Sequence, residues 1–121
     1  MAKTRLFHNG AVILPDRILE DGVVVCRGGK IIGVGERRGF NVPPNAEAID
    51  ARGGFIGPGY IDIHVHGGDG ADFMDGTAQA VRTVLRAHAR HGTTALFPTT
   101  TTGSPRQIRA MLRACKSVQK K

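Results

Sequence analysis

The sequence predicts an α/β protein in two parts. Residues 1–54 read as a small β domain, part of a β-sandwich, and residues 55–121 as parallel βα units. Three observations predict this. Before residue 54, β-branched runs alternate with Asn-Gly and Gly-Gly turns. After it the order becomes strand, helix, strand, helix, the pattern of parallel βα units. Glycine contributes 17 of 121 residues, about twice its ordinary share of about 7%, without the Gly-X-Y period of collagen.

In the first part, Arg5 to His8 and Ala11 to Leu14 flank Asn9-Gly10, the dipeptide that best tolerates positive φ at both centres of a type I′ turn; a hairpin is expected there. Gly22 to Arg27 and Lys30 to Gly35 flank Gly28-Gly29, a second hairpin of the same kind. Val23, Val24, Val25, Ile31, Ile32 and Val34 supply the β-branched side chains that suit a pleated, half-buried surface. Arg37 to Asn45, with Pro43-Pro44, reads as a loop, and Ala46 to Asp50 as a further short strand.

In the second part, Tyr60 to His66 is a strand and Thr77 to His91 a helix. Val81, Val84, Leu85 and His88 fall on one face of a 3.6-residue period. Thr77 can cap the start, and Gly92 supplies a left-handed stop. Thr93 to Phe97 is a second strand. Ser104-Pro105-Arg106-Gln107 combines an N-cap, a proline at the first helical position and a glutamine in the capping-box place. The helix it opens runs to about Val118 and is expected to bury Ile108, Met111, Leu112 and Cys115.

Composition narrows the function classes. Seventeen basic and ten acidic residues leave a net charge of +7, which can serve nucleic acid or an anionic surface. No nucleic-acid motif accompanies it, and aromatics suited to stacking on single strands are scarce, so a nucleic-acid partner is not expected. Arg82, Arg86 and Arg90, and Arg106, Arg109, Arg113 and Lys116, read as solvent-facing helix stripes. Cys26 and Cys115 lie in no CxxC pair, which indicates neither a disulfide framework nor a zinc knuckle. Charges throughout the first 25 residues leave no apolar core for a signal peptide, and no run is long enough to span a membrane, so the expected location is the cytoplasm.

The chemistry concentrates in Ile61-Asp62-Ile63-His64-Val65-His66. Strict alternation would place Ile61, Ile63 and Val65 on one face and Asp62, His64 and His66 on the other. Histidines at i and i+2 on a strand have Cα atoms roughly 6.6 Å apart, close enough for both imidazoles to reach one divalent ion. Gly67-Gly68-Asp69-Gly70 follows at once, and the C-terminal ends of parallel strands are where α/β sites form. Asp69, Asp72 and Asp75 lack the spacing of a calcium loop and read as a loop at the site mouth. His88 reads as partly buried, and His91 as a helix C-terminal residue.

The run from Gly57 to Gly68 resembles the amidohydrolase superfamily. Asp69 to Thr77, His91-Gly92-Thr93-Thr94 and Phe97-Pro98-Thr99-Thr100 look like the N-acetylglucosamine-6-phosphate deacetylase family within it. The resemblance implies the first two βα units of a metal-dependent (β/α)8 barrel, a fold of about 250 residues, here truncated. It implies hydrolysis of the acetamide of N-acetylglucosamine 6-phosphate to glucosamine 6-phosphate and acetate, with a divalent metal, zinc or iron, as cofactor. His64 and His66 match the family's first-strand metal ligands, and Asp62 a supporting residue that orients a ligand histidine. The catalytic residue and remaining ligands are then expected beyond Lys121, so the chain alone is expected to be inactive. The partner implied is a small amino-sugar phosphate, and the full-length family form is expected to be a homo-oligomer. The alternatives are another amidohydrolase fragment, hydantoinase- or aminoacylase-like, and a non-enzymatic basic binding module.

Overall fold

The computed structural model describes residues 2–119. They form two compact units that divide between Pro58 and Gly59.

The first unit is built on β1 (Thr4–Ile13), β2 (Ile18–Arg27), β3 (Lys30–Glu36), β4 (Glu47–Asp50) and β5 (Phe55–Ile56). They make one five-stranded mixed sheet in the order β3-β2-β1-β4, with β5 also paired to β1. The first unit is thus a single mixed sheet. The β2–β3 hairpin turns at Gly28-Gly29 as anticipated, with φ of 58° and 77°, values that glycine adopts without steric cost.

The other expected hairpin is absent, and β1 runs straight through Asn9-Gly10. Asn9 does take a positive φ, 56°, but a type I′ turn needs it at both centres. Instead the pairing of β1 with β2 slips between Phe7 and Gly10 and again between Gly10 and Val12. Asn9 donates through Nδ2 to Asp50 at 2.7 Å, and its carbonyl accepts from the Gly53 N–H at 2.7 Å. Gly10 is a packing glycine, because a Cβ there would come within 2.6 Å of the Gly54 carbonyl oxygen. The true reversal is Leu14-Pro15-Asp16-Arg17, closed by Leu14 N–H to the Arg17 carbonyl at 2.9 Å. Proline and aspartate suit the centre of such a turn. Because Phe55–Ile56 pairs with β1, the first unit extends a few residues beyond the change of sequence character at 54.

Leu6, Val23 and Val25 bury one patch of this sheet with Phe40 and Ala46 packed on it. Val12, Leu19 and Val24 bury a second with Phe7 and Ile56. Val24 thus faces away from Val23 and Val25, as a two-residue period requires, while Leu19 joins the Val24 side because the pairing with β1 slips between Gly22 and Leu19.

The second unit pairs β6 (Tyr60–Val65) with β9 (Thr93–Pro98) in parallel. Between them come β7 (Gly67–Gly68), β8 (Ala71–Asp72), a 3₁₀ turn at Phe73–Asp75, and helix α1 (Ala78–Ala89). Helix α2 (Pro105–Gln119) follows β9. Both helix starts are capped as their residue types predict. Ala80 N–H donates to Thr77 Oγ1 at 3.1 Å. At α2, Gln107 N–H donates to Ser104 Oγ at 3.3 Å while the Gln107 side-chain oxygen accepts from Ser104 N–H at 2.9 Å. Val65, Phe73, Val81, Val84, Met111 and Ala114 form a single core between the strands and the helices. Leu112 stays 55% exposed, contrary to expectation. Met111 and Ala114 face the core three residues apart, and a position one residue past Met111 is turned about 100° away from that seam.

Candidate metal centre

Strand β6 carries His64, and His66 follows its last residue directly, at a corner. Its pairing with β9 sets Asp62 beside Leu96 and Val65 beside Pro98. Three steps along β6 therefore match two along β9, a β-bulge that inserts one residue and reverses the side-chain parity beyond it. The strict alternation expected across this strand does not hold. Asp62 lies toward α1, with Oδ2 4.0 Å from His88 Nδ1, and Val65 is buried against Val81 and Val84 of the same helix. Asp62 thus leaves the face on which alternation placed it. Its Oδ1 accepts the His64 backbone N–H at 3.0 Å, inside the interval where the ladder is interrupted.

His64 and His66 remain on a common side. Their Nε2 atoms are 3.1 Å apart, and the rings meet edge to face with centroids 4.9 Å apart. With metal–nitrogen bonds of about 2.0–2.1 Å, that separation corresponds to a nitrogen–metal–nitrogen angle of roughly 98°, between octahedral and tetrahedral values. His64 is exposed and His66 half-buried, so the pair opens to solvent.

Thr99, directly after β9, sets the second ring. Its carbonyl lies 3.0 Å from His66 Nδ1. A carbonyl only accepts, so Nδ1 carries the proton and Nε2 presents a bare lone pair, the tautomer that ligation through Nε2 requires. Thr99 also accepts from Val65 N–H through Oγ1 at 3.2 Å, donates from that hydroxyl to the Phe97 carbonyl at 3.0 Å, and gives its own N–H to the Val65 carbonyl at 2.8 Å. Opposite that lone pair, His64 is the donor through Nε2–H across the 3.1 Å gap, and ligation of a cation through both Nε2 atoms requires that proton to move to His64 Nδ1. The sequence marks Thr99 only within the family-like motif Phe97-Pro98-Thr99-Thr100; its grip on His66 comes from strand pairing.

The other candidates are engaged elsewhere. Asp72 Oδ1 accepts Met74 N–H at 2.7 Å and Asp75 Oδ2 accepts Asp72 N–H at 2.9 Å, a capping box on the 3₁₀ turn. Asp69 pairs with Arg90. His88 is half-buried and His91 exposed just past α1. Burial pushes the Cys115 thiol up from its ordinary value, away from the thiolate that a ligand or nucleophile needs. Among the described residues no group of three or more His, Cys, Asp or Glu gathers as a cation site, so the pair stands as two donors of a set. No described helix is long and apolar enough to cross a membrane.

The family described as "Amidohydrolase family" matches residues 55–120. The chain is 32% identical over 102 residues to an N-acetylglucosamine-6-phosphate deacetylase of Bacillus subtilis (strain 168), covering 84% of this chain and 26% of that protein. It is 41% identical over 63 residues to a dihydroorotase of Anaeromyxobacter sp. (strain K), covering 50% of this chain and 14% of that one. The crystal structure of N-acetylglucosamine-6-phosphate deacetylase from Pasteurella multocida superposes with a TM-score of 0.87 at 22% identity, over 98% of this chain and 31% of its own. The chain therefore spans about a quarter of the curated deacetylase's length.

Proposed function

Because this chain belongs to the amidohydrolase family, we propose that it provides the first two βα units of a metal-dependent barrel hydrolase acting on the acetamide of N-acetylglucosamine 6-phosphate. The observation that carries the reading is the convergence of two imidazole Nε2 atoms at 3.1 Å, with the His66 tautomer set by the Thr99 carbonyl. His64 and His66 would hold a divalent ion, zinc or iron. When bound, such an ion supplies Lewis-acid polarisation of the amide carbonyl and brings the pKa of water down to about 7.

This chain's own residues do three things in that scheme. His66 offers a fixed lone pair to the ion. His64 completes the bite once its proton sits on Nδ1 and Nε2 is free. Asp62 takes the His64 backbone N–H and so holds the bulged strand in register. A catalytic zinc ordinarily has three protein ligands and an open position. The further ligand, the groups that move protons and those that hold the phosphate belong to the remaining length seen in the relatives. On this reading the 121-residue chain does not turn over substrate alone, and its setting is cytoplasmic amino-sugar metabolism.

The similarity to a dihydroorotase supports a second reading in which the bond cleaved is that of a cyclic amide. Joining residues 1–121 to the remaining three quarters of the Bacillus subtilis relative tests both. The expected result is release of acetate from N-acetylglucosamine 6-phosphate, abolished in His64→Asn and His66→Asn. Hydrolysis of dihydroorotate without deacetylation would favour the second reading instead.

A further inference from the structure

Helix α1 bears one side chain that bonds one end of the histidine segment and faces the other. His88 lies on the same face as the buried Val81 and Val84, seven and four residues along, and its side chain is 27% exposed. Its Nε2 is 3.1 Å from the Gly67 carbonyl oxygen, which can only accept, so Nε2 is the donor. The opposite edge of the ring, Nδ1, faces the Asp62 carboxylate at 4.0 Å, beyond direct hydrogen-bond reach. Gly67 follows His66 directly, and Asp62 accepts the His64 backbone N–H.

A second observation shows how closely this corner rests on the ring. A Cβ on Gly68 would lie 3.3 Å from His88 Nε2 and 3.2 Å from the Ala87 Cβ. Both distances are tighter than ordinary van der Waals contact. The β-bulge interrupts the β6–β9 ladder between Asp62 and Val65, so this stretch of backbone lacks regular strand pairing. Contacts from α1 then add to the hydrogen bonds that Thr99 makes to Val65 and His66 and that the His66 carbonyl accepts from Phe73 N–H in limiting its freedom.

We propose that His88 is a positioning residue, a bracket from α1 that holds the Asp62–Gly67 segment so that the two Nε2 atoms stay convergent. The role rests on the metal-centre reading above, and it concerns a residue outside the His64–His66 motif. Outer-shell partners of this kind typically change metal affinity by about 10–100-fold when removed.

The test uses the full chain with His88→Phe, which keeps ring bulk but removes the donor, and His88→Gln, which restores an N–H near the position of Nε2. Long-range proton–nitrogen spectra of the imidazoles, recorded without metal, report the His66 tautomer, and calorimetric titration with Zn(II) reports affinity. His88→Phe is expected to mix the His66 tautomers and weaken zinc binding about tenfold or more, while His88→Gln keeps both near the parent. A folded His88→Phe with the parent tautomer and affinity would overturn the proposal. So would equal losses in the Phe and Gln variants, which would mark a role in packing alone. Gly68→Ala, which presses a methyl group onto the ring at its Nε2 edge, is expected to disturb the His66 signal in the same sense; an unmoved signal would also overturn the proposal. Parent chain that binds no zinc, alongside a His66 tautomer that still responds to His88→Phe, would remove the metal reading and leave the bracket standing.

Discussion

Replacing Phe73 with alanine should unfold most of the second unit. The ring is 0% exposed and lies in the one core that joins Val65, both helices and the 3₁₀ turn. Truncating a buried phenylalanine costs about 3–5 kcal/mol, through lost transfer energy plus the cavity left behind. A unit of this size, divided from the first at Gly59, has a stability on the order of 3–9 kcal/mol at about 0.05–0.15 kcal/mol per residue. The loss is therefore comparable to the whole. A proton–nitrogen correlation spectrum is the direct assay. Amide signals from residues 60–119 should collapse toward unfolded positions in Phe73→Ala, and Phe73→Leu, which leaves a smaller void, should keep most of their dispersion. If Phe73→Ala leaves those signals dispersed and the unit's urea midpoint unchanged, this core does not hold the unit together.

Thr99→Val keeps the shape of the side chain but leaves the Val65 N–H without its acceptor. A loss of about 1–3 kcal/mol is expected, with Thr99→Ser close to the parent, measured by urea unfolding of the second unit. Acid should weaken the first sheet. Hydrogen bonds from Lys3 and then Arg5 hold the Glu47 carboxyl below its ordinary value, and those from the Arg52 backbone and Asn9 do the same for Asp50. Depressed carboxylates bind fewer protons folded than unfolded, so their contribution is full above the ordinary carboxylate range and fades as pH falls through the lowered values. Melting of the first unit against pH should show this slope, and Glu47→Gln should flatten it.

Much of this architecture is legible in the residues because its signals are local. Gly28-Gly29 turns where two consecutive positive φ values are needed, and Thr77 and Ser104 cap the helices they precede. The histidine pair is legible for the same reason, since both residues lie past the start of the bulge and keep the i, i+2 relation that their spacing implies. What was misread depends on partners distant in sequence. Asn9-Gly10 has turn chemistry, yet Asp50, Gly53 and Gly54 engage it as a bend within one strand. The bulge in β6 arises from its match to β9, and no property of Ile61 to His66 announces it, so Asp62 was assigned to the wrong face. Leu112 shows the limit of periodicity, because a stripe of apolar residues does not say which edge of it the neighbouring helix covers. Thr99 and His88 gain their roles from contacts spanning 33 and 21 residues, beyond any local pattern.

Adding one equivalent of Zn(II) to the chain and following the imidazole nitrogens tests the central claim most directly. The account predicts that the Nε2 signals of His64 and His66 move together, with His66 Nδ1 keeping its proton, while His8, His88 and His91 hold still. Movement of only one of the pair, or of the other histidines instead, would contradict a shared ion between them.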